Sequence, residues 1–258
     1  FIDTAEVYGQ GRSESIVGEL IKSTEQRVIV ATKFMPYPWR VRKSSLRNAL
    51  EGSLERLQLD AVDLYQIHWH MPPVAIETWM DAMYEAAQDG LIRAIGVSNY
   101  DRNQTETAYT KLTSEGMTLA SNQVEYHLLD RKIEKNGLMD LCKERGIAII
   151  AYSPLAQGLL TGKYTPDNPP QGVRGGRYPK KMLAQIQPII SELTRIGSAH
   201  DGKSPAQVAI NWCMCKGTIP IPGARNARQA EQNVGALGWR LTNEEVNELD
   251  MISDKVLG

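Results

Sequence analysis

The chain has 258 residues, a length that suits a single α/β barrel, and its 42% hydrophobic and 23% charged residues are typical of a globular protein. A formal net charge of −1 gives no electrostatic reason to expect nucleic acid or an anionic membrane surface as a partner. No apolar run approaches the roughly 18 residues of a membrane span, and the three cysteines, Cys142, Cys213 and Cys215, indicate neither a disulfide framework nor a zinc site.

The chain begins with Phe1 and shows neither an initiator methionine nor a signal or transit sequence. We therefore expect its N-terminal part to be incomplete. The expected location is the cytoplasm, or the plastid stroma if a transit peptide has been lost from the N-terminus.

Strand-like apolar runs alternate with helical patterns along the whole chain. The predicted strands are FI before Asp3, RVIVATKF (whose apolar run ends at Lys33), VDLYQIHWH, IRAIGVSN, ASNQVEYH, IAIIAYSP and GTIPIPG. The first long helix is SSLRNALEGSLERLQL, with Ser44 or Ser45 as its N-cap and one apolar face made of Leu46, Ala49, Leu50, Ser53, Leu54 and Leu57.

The other predicted helices follow the remaining strands. They are AIETWMDAMYEAAQDG ending at Gly90 and segments near 102–115, 134–145, 180–200, 204–216 and 226–237. Ser204 is the expected N-cap of the helix that opens with Pro205. Thr242 and Glu245 form a capping box before the last helix.

Such an alternation predicts parallel strands, in either an open doubly wound sheet or a (β/α)8 barrel. Polar residues stand at the C-terminal end of every strand, and only a closed barrel brings all of these ends to one mouth. No G-x-G-x-x-G follows a strand. The sequence therefore predicts a TIM barrel as a single domain over residues 1–258. Seven strands are visible where eight are needed, so the first strand is expected to be missing.

Four polar side chains at these strand ends suggest a reaction. In a barrel, Asp3, Tyr8, Lys33 and His68 can converge, although they are distant in sequence. A phenol is a weak acid at neutral pH, but a nearby ammonium stabilises the phenolate, and a carboxylate keeps that ammonium charged. A histidine beside the phenol can hydrogen-bond a substrate carbonyl. The set predicts a proton donor for an aldehyde or ketone that receives a hydride.

Several segments in this order resemble the aldo-keto reductase superfamily. They are FIDTAEVYG, VATKF, VDLYQIHW, IGVSNY, SNQVEYH, AYSPLAQGLLTGKY and IPIPGARNARQAEQN. The segments ASNQVEYHLLDR and YSPLAQGLLTGKYTPDNPP are most similar to a plant- and cyanobacteria-type branch that includes pyridoxal reductase-like members. The resemblance implies a (β/α)8 barrel that uses NADPH without a metal, with a catalytic tetrad of Asp3, Tyr8, Lys33 and His68 in which Tyr8 is the acid.

The resemblance also implies where the nicotinamide half of NADPH binds. Ser98, Asn99 and Gln123 match the side chains that hold the nicotinamide carboxamide, which needs both donors and acceptors. Tyr152 matches the aromatic residue that stacks on one face of the nicotinamide. The opposite face is then left for the substrate.

The remaining cofactor residues implied by the resemblance lie further along the chain. The pyrophosphate loop is represented by Ser153, Pro154, Leu155 and Lys163. The adenosine end is represented by Gly223, Arg225, Gln229, Gln232 and Asn233. Many members carry lysine at the position of Gly223, and Arg225 is expected to clamp the 2′-phosphate in its place. Gln232 stands where some members have glutamate.

One alternative is a metal-dependent barrel hydrolase. In a strand His68 and His70 point to the same side, and an H-x-H pair at a barrel strand end can bind zinc. His127 would be a third ligand. No further set of Asp, Glu and His follows the later strands, and this alternative leaves the nicotinamide-like residues unexplained.

In a second alternative the protein binds the nicotinamide cofactor but has a regulatory role. Some barrels of this family are nicotinamide-sensing regulatory subunits with weak turnover, and an intact tetrad favours an enzyme over that role. The expected partner is a small carbonyl substrate, with no nucleic acid and no membrane, and the oligomeric state is left open. Trp39 and Trp69 either line an apolar substrate pocket or cap the barrel.

Overall fold

The computed structural model describes residues 1–172, 176 and 178–257. In these residues the strands are β1 (Ile2–Asp3), β2 (Val30–Phe34), β3 (Val62–Ile67), β4 (Ile92–Ser98), β5 (Leu119–Glu125), β6 (Ala148–Tyr152) and β7 (Ile219–Ile221). The helices described are α1 (Arg12–Lys22), α2 (Lys43–Leu57), α3 (Ile76–Gln88), α4 (Arg102–Ser114), α5 (Lys132–Lys135), α6 (Leu138–Arg145), a 3₁₀ helix (Ala156–Thr161), α7 (Lys180–Ala199), α8 (Pro205–Cys215), α9 (Ala227–Val234) and α10 (Asn243–Leu257).

The chain forms two compact units. The first unit comprises Phe1–Val124 and Asn136–Ile149, and the second comprises Glu125–Lys135 and Ile150–Gly258. That residues 1–258 form one domain stays a prediction. The alternation of strands and helices that the sequence predicts is present in both units.

The first unit contains a parallel sheet whose strands are neighbours in chain order from β1 to β5. The register pairs Lys33 with Gln66, Gln66 with Gly96, and Ser98 with Gln123. Because all strands run the same way, their carboxyl ends lie at one edge of the sheet. In the second unit β6 pairs with β7, also in parallel, with Tyr152 opposite Ile221.

Helix α2 confirms one of the sequence predictions made for it and contradicts another. All six residues of its predicted apolar face are buried. The predicted N-cap is wrong: the helix begins at Lys43 after Arg42, with no side-chain cap, and Ser44 and Ser45 lie in the first turn. The backbone N–H of Ser45 donates to the Arg42 carbonyl at 2.9 Å, so the main chain closes the first turn without a hydroxyl.

The predicted N-cap at Ser204 and the predicted capping box of Thr242 and Glu245 are confirmed. Ser204 Oγ accepts from Gln207 N and the Gln207 side chain accepts from Ser204 N, with Pro205 as the first helical residue. Thr242 and Glu245 are reciprocally bonded in the same way. The predicted helix near 134–145 is instead two helices, because Gly137 has a φ of 78° and interrupts the turn.

Elsewhere in the second unit, an ion-pair network surrounds Trp212. Arg131 pairs with Glu134 through two bonds, Nε to Oε1 at 3.2 Å and Nη2 to Oε2 at 2.7 Å. The Trp212 indole nitrogen donates to Asp250 Oδ1 at 2.9 Å, and Lys216 donates to Asp250 Oδ2 at 2.7 Å. Arg131 Nη1 also donates to the Asp250 carbonyl at 2.8 Å, so the network joins the start of α5 to α8 and α10.

Candidate active site

The strand ends of the first unit bring the predicted tetrad together. Asp3 is the last residue of β1, Lys33 is the penultimate residue of β2, and His68 follows β3 directly. Tyr8 lies in the loop between β1 and α1, where its backbone N–H closes a turn onto the Ala5 carbonyl at 3.0 Å.

Lys33 is the centre of this group. Its side chain is completely buried, and Nζ donates to Asp3 Oδ2 at 2.5 Å and to the Thr4 carbonyl at 2.8 Å. The same nitrogen lies 5.1 Å from the centre of the Tyr8 ring. Burial lowers the pKa of Lys33, and the Asp3 carboxylate opposes that shift. An ammonium is thus held between a carboxylate and a phenol.

The imidazole ring of His68 packs against the ring of Tyr8. The two ring centres are 5.8 Å apart and the rings are nearly perpendicular, at 82°. Burial, and then the charge of Lys33, lower the pKa of His68 to about 4. The imidazole is therefore neutral at pH 7. Its Nδ1 is buried without a hydrogen-bond partner in the described part of the chain, which favours the tautomer with the hydrogen on Nε2.

Sequence reasoning missed Gln66. This buried residue of β3 donates through Nε2 to Asp3 Oδ1 at 3.2 Å, and its Oε1 accepts from Gln123 Nε2 at 3.4 Å. Gln123 also donates to Asp3 Oδ1, at 2.8 Å. A signal was available, because Gln66 precedes His68 by two residues in the predicted strand VDLYQIHWH, where residues two apart are expected to face the same side. Asp3 is fixed by two amides as well as by Lys33.

Ser98 and Asn99 lie at the end of β4. Ser98 Oγ donates to the Gln123 carbonyl at 2.9 Å, and Asn99 Nδ2 donates to Ser98 Oγ at 3.0 Å and to the His68 carbonyl at 3.2 Å. Asn99 has a left-handed backbone, with a φ of 58°. Asparagine tolerates this conformation better than most residues, and such strain is concentrated at functional sites. The first unit therefore collects amide and hydroxyl groups beside the tetrad.

The second unit carries the other predicted nicotinamide residue. Tyr152 is the last residue of β6 and is half-buried. Burial, with the nearby carboxylates of Glu125 and Asp130, raises the pKa of Tyr152 to about 12, so its phenol stays neutral at pH 7. Ser153, the next residue, has a φ of 53°. Its left-handed backbone turns the chain directly after the strand.

The predicted pyrophosphate loop continues from Ser153. Pro154 is buried and Leu155 is half-buried, and Leu155 precedes the 3₁₀ helix. Lys163 is exposed, and its Nζ lies 4.5 Å from the centre of the Tyr164 ring. The second unit thus presents a positive charge after this loop.

The predicted adenosine segment surrounds the start of α9. Asn226 caps the helix by accepting from Gln229 N at 3.0 Å, and Gln229 Oε1 accepts from Arg225 N at 2.8 Å. Asn233 Nδ2 approaches the Gly223 carbonyl at 3.4 Å. Gln229 and Asn233 thus fasten the loop in which the exposed Arg225 lies.

Gln232, also in α9, is exposed, and its backbone carbonyl accepts from Gln207 Nε2 at 3.0 Å. On the Gln232 side, that bond involves only the main chain. The role of the Gln232 side chain toward adenine therefore stays a prediction.

The histidines do not gather as metal ligands. His70 packs against Tyr100, with ring centres 6.0 Å apart, while His68 packs against Tyr8. Strand β3 ends at Ile67, so the alternation expected to align the two histidines does not extend to them. His127 Nδ1 accepts from Leu129 N at 3.1 Å. Across the described residues, no three His, Cys, Asp or Glu side chains are grouped as metal ligands.

Within residues 1–172, 176 and 178–257, no helix is both long enough and apolar enough to cross a membrane.

Acid is expected to destabilise the protein through His68. The folded pKa of about 4 lies below the unfolded value of 6.5, so between these pH values the unfolded chain binds a proton that the folded chain does not. This contribution to the free energy of unfolding is complete above about pH 6.5 and is lost as the pH falls toward 4. Urea unfolding of the wild type and His68→Gln between about pH 7.5 and 4.5 measures it. The variant should lose less stability on acidification, and equal losses would contradict the expectation.

Comparison with known proteins identifies the family. The sequence profile of the Aldo/keto reductase family matches residues 1–254. A chloroplastic pyridoxal reductase of Arabidopsis thaliana is 41% identical over 96% of this chain and 71% of its own length. The structure of a glycerol dehydrogenase from Gluconobacter oxydans superimposes with a TM-score of 0.89 at 30% identity, over 99% of this chain and 81% of that one.

A third relative is an aldo/keto reductase from Klebsiella pneumoniae, solved in complex with NADP and acetate. It matches with a TM-score of 0.79 at 32% identity, over 98% of this chain and 79% of its own. These matches confirm the predicted fold class, the (β/α)8 barrel. The chain therefore belongs to the aldo/keto reductase family of NAD(P)H-dependent oxidoreductases.

Proposed function

We propose that this protein reduces an aldehyde or ketone to an alcohol, with NADPH as the hydride source and Tyr8 as the proton donor. The observation that carries the proposal is the position of the buried Lys33 ammonium, bonded to Asp3 and 5.1 Å from the Tyr8 ring centre. Family membership and the NADP-bound relative support the cofactor.

Tyr8 provides the proton that carbonyl reduction needs. As the carbonyl carbon gains a hydride, its oxygen becomes an alkoxide and takes the phenolic proton. The phenolate left on Tyr8 is stabilised by the Lys33 ammonium. The Lys33 side chain is completely buried, so bulk water does not screen its charge. Asp3 keeps the ammonium charged and directed, and its other oxygen is held by Gln66 and Gln123.

His68 orients the carbonyl rather than protonating it. With a pKa of about 4 the ring is neutral at pH 7, so it offers a hydrogen-bond donor and no net charge. A protonated imidazole beside Lys33 would place two positive charges together, which the lowered pKa of His68 avoids. The acid and the orienting group are therefore different residues.

The polar and aromatic side chains of the candidate site are chemically suited to binding NADPH. When bound, the cofactor supplies the hydride. In the first unit, Ser98, Asn99 and Gln123 offer the donors and acceptors that a carboxamide requires. In the second unit, Tyr152 offers a neutral ring for stacking, and Lys163 offers a positive charge for the pyrophosphate.

Arg225 is the residue proposed to select NADPH over NADH. A 2′-phosphate adds up to two negative charges where NADH has a hydroxyl, and a guanidinium can hold it through two bonds. Arg225→Ala should weaken NADPH binding by roughly 10²-fold, because charge-assisted bonds of about 1.5–3 kcal/mol each are lost and only partly replaced by water. NADH binding should change little.

Arg228→Ala is the matched control for Arg225→Ala, because Arg228 is also exposed and lies three residues further along. Fluorescence titration gives both coenzyme dissociation constants for each protein. Salt should weaken NADPH binding more than NADH binding, since charges near the surface are screened. Equal affinity of the wild type for the two coenzymes would show that Arg225 has no selective role.

The proposed substrate class is flat, apolar aldehydes, with pyridoxal as the first candidate because of the Arabidopsis relative. Trp69, next to His68, is 44% exposed and available to such a substrate. NADPH oxidation should be measured against pyridoxal, benzaldehyde, a short aliphatic aldehyde and a quinone. A higher kcat/KM for the ring-bearing aldehydes supports the proposal. Tight NADPH binding with no turnover of any carbonyl would instead favour the regulatory role.

A further inference from the structure

The loop that carries Tyr8 is fastened by a carboxylate two residues earlier. Glu6 and Tyr8 lie in the same turn, which the Tyr8 N–H closes onto the Ala5 carbonyl. The Glu6 side chain is only 9% exposed, whereas Tyr8 is 42% exposed. Packing alone therefore fixes Glu6 better than it fixes the phenol.

Glu6 reaches the segment that leaves Lys33. Its Oε1 accepts from the backbone N–H of Met35 at 2.7 Å and from Arg40 Nη1 at 2.5 Å, and its Oε2 accepts from Arg40 Nη2 at 3.1 Å. Met35 is two residues beyond Lys33. One carboxylate thus joins the loop of the proposed acid to the chain that holds the proposed ammonium.

Arg40 is itself held firmly. Its guanidinium packs over the rings of Phe34 and Tyr37, at 5.2 and 5.3 Å from their centres, and Nη1 also donates to the Met35 carbonyl at 3.0 Å. Phe34 is completely buried. A planar guanidinium stacked on two rings with a bidentate partner is a rigid anchor, which lysine cannot reproduce.

We infer that Glu6 is a positioning residue for proton transfer. Through its bonds to Arg40 and to the backbone N–H of Met35, it keeps Tyr8 at its position beside Lys33. The inference rests on the proposed function, in which Tyr8 is the acid. The loop sets where the Tyr8 side chain meets its own contacts with His68 and Lys33, and a displacement of about 1 Å at a reacting group can cost roughly 10²-fold in rate. In this role Glu6 acts through Tyr8.

The test compares two glutamate-to-glutamine variants. Glu6→Gln keeps an oxygen for the Met35 N–H but loses the charge that binds Arg40. Glu134→Gln is the matched control, because Glu134 also pairs bidentately with an arginine, Arg131, and its side chain is only 15% exposed. Both variants lose the same kind of ion pair, so an effect of stability alone would appear in both.

Single-turnover reduction of benzaldehyde by bound NADPH is measured in water and in deuterium oxide. Glu6→Gln should slow the step by roughly 10-fold, a partial form of the misplacement penalty, and should enlarge the solvent isotope effect because proton transfer becomes more limiting. Its NADPH dissociation constant should stay within about twofold of wild type. Glu134→Gln should match the wild type in rate and isotope effect.

Arg40→Lys is a second variant, which keeps the positive charge but cannot form the bidentate pair with Glu6. It should also slow the step and enlarge the isotope effect. A wild-type rate and isotope effect in Glu6→Gln, or in Arg40→Lys if Glu6→Gln does not fold, would overturn the inference. An equal slowing in Glu134→Gln would overturn it too. Normal turnover by Tyr8→Phe would instead remove the acid role on which it rests, so the two failures are distinguishable.

Discussion

Tyr8→Phe is expected to slow carbonyl reduction by at least roughly 10²-fold, the lower end of what a positioned general acid contributes. The substitution removes one oxygen and keeps the ring, so the perpendicular contact with His68 at 5.8 Å and the place of Lys33 over the ring are preserved. NADPH affinity should therefore be unchanged. Single-turnover rates with a saturating aldehyde separate this loss from any change in binding.

Tyr109→Phe provides the control for Tyr8→Phe. Tyr109 is a partly exposed tyrosine of α4 whose ring packs beneath Arg145, and its hydroxyl has no part in the proposed chemistry. It should turn over substrate at the wild-type rate. Near-normal turnover by Tyr8→Phe would show that another group protonates the carbonyl.

The second large effect concerns the buried pair of Asp3 and Lys33. Asp3→Asn leaves a completely buried ammonium without its counter-charge and should lower the free energy of unfolding by about 3–5 kcal/mol. Lys33→Met leaves the Asp3 carboxylate with its bonds to Gln66 and Gln123 but without the Lys33 charge, and should also destabilise the protein. The double variant removes both charges, and it should lose clearly less stability than the two single variants added together.

Urea unfolding of these proteins gives the coupling energy of the pair. The pair of Lys135 and Asp254, in which both side chains are exposed, is a control, since solvent-exposed ion pairs contribute only about 0–1 kcal/mol. Activity should not follow stability in this series. The double variant should regain stability, but it should stay inactive because it lacks the ammonium. Losses that add within about 0.5 kcal/mol would contradict a coupled buried pair.

Much of this architecture is readable from the sequence because it depends on short-range patterns. The period of the apolar residues predicts strands and helices, and the buried face of α2 follows from it residue by residue. Asp3, Lys33, His68 and Ser98 stand out because polar side chains end otherwise apolar runs. Parallel strands then place such ends at one edge.

What escaped prediction depends on distant partners or on backbone conformation. The bond between Glu6 and Arg40 joins residues 34 apart, and nothing local in DTAEVYG or MPYPWR indicates it. Asparagine tolerates the left-handed backbone of Asn99, but its presence alone does not predict that conformation. The helix start at Lys43 was missed because the main chain, not a serine, closes the first turn.

Hydride transfer from NADPH to a carbonyl carbon is the central claim, and isotope labelling tests it most directly. The protein is incubated with benzaldehyde or pyridoxal and NADPH deuterated at both C4 positions of the nicotinamide, and the product is analysed by mass spectrometry. The proposed function predicts one carbon-bound deuterium in each alcohol molecule, with one NADPH oxidised per alcohol formed. An alcohol without deuterium, or oxidation of NADPH without alcohol, would contradict it.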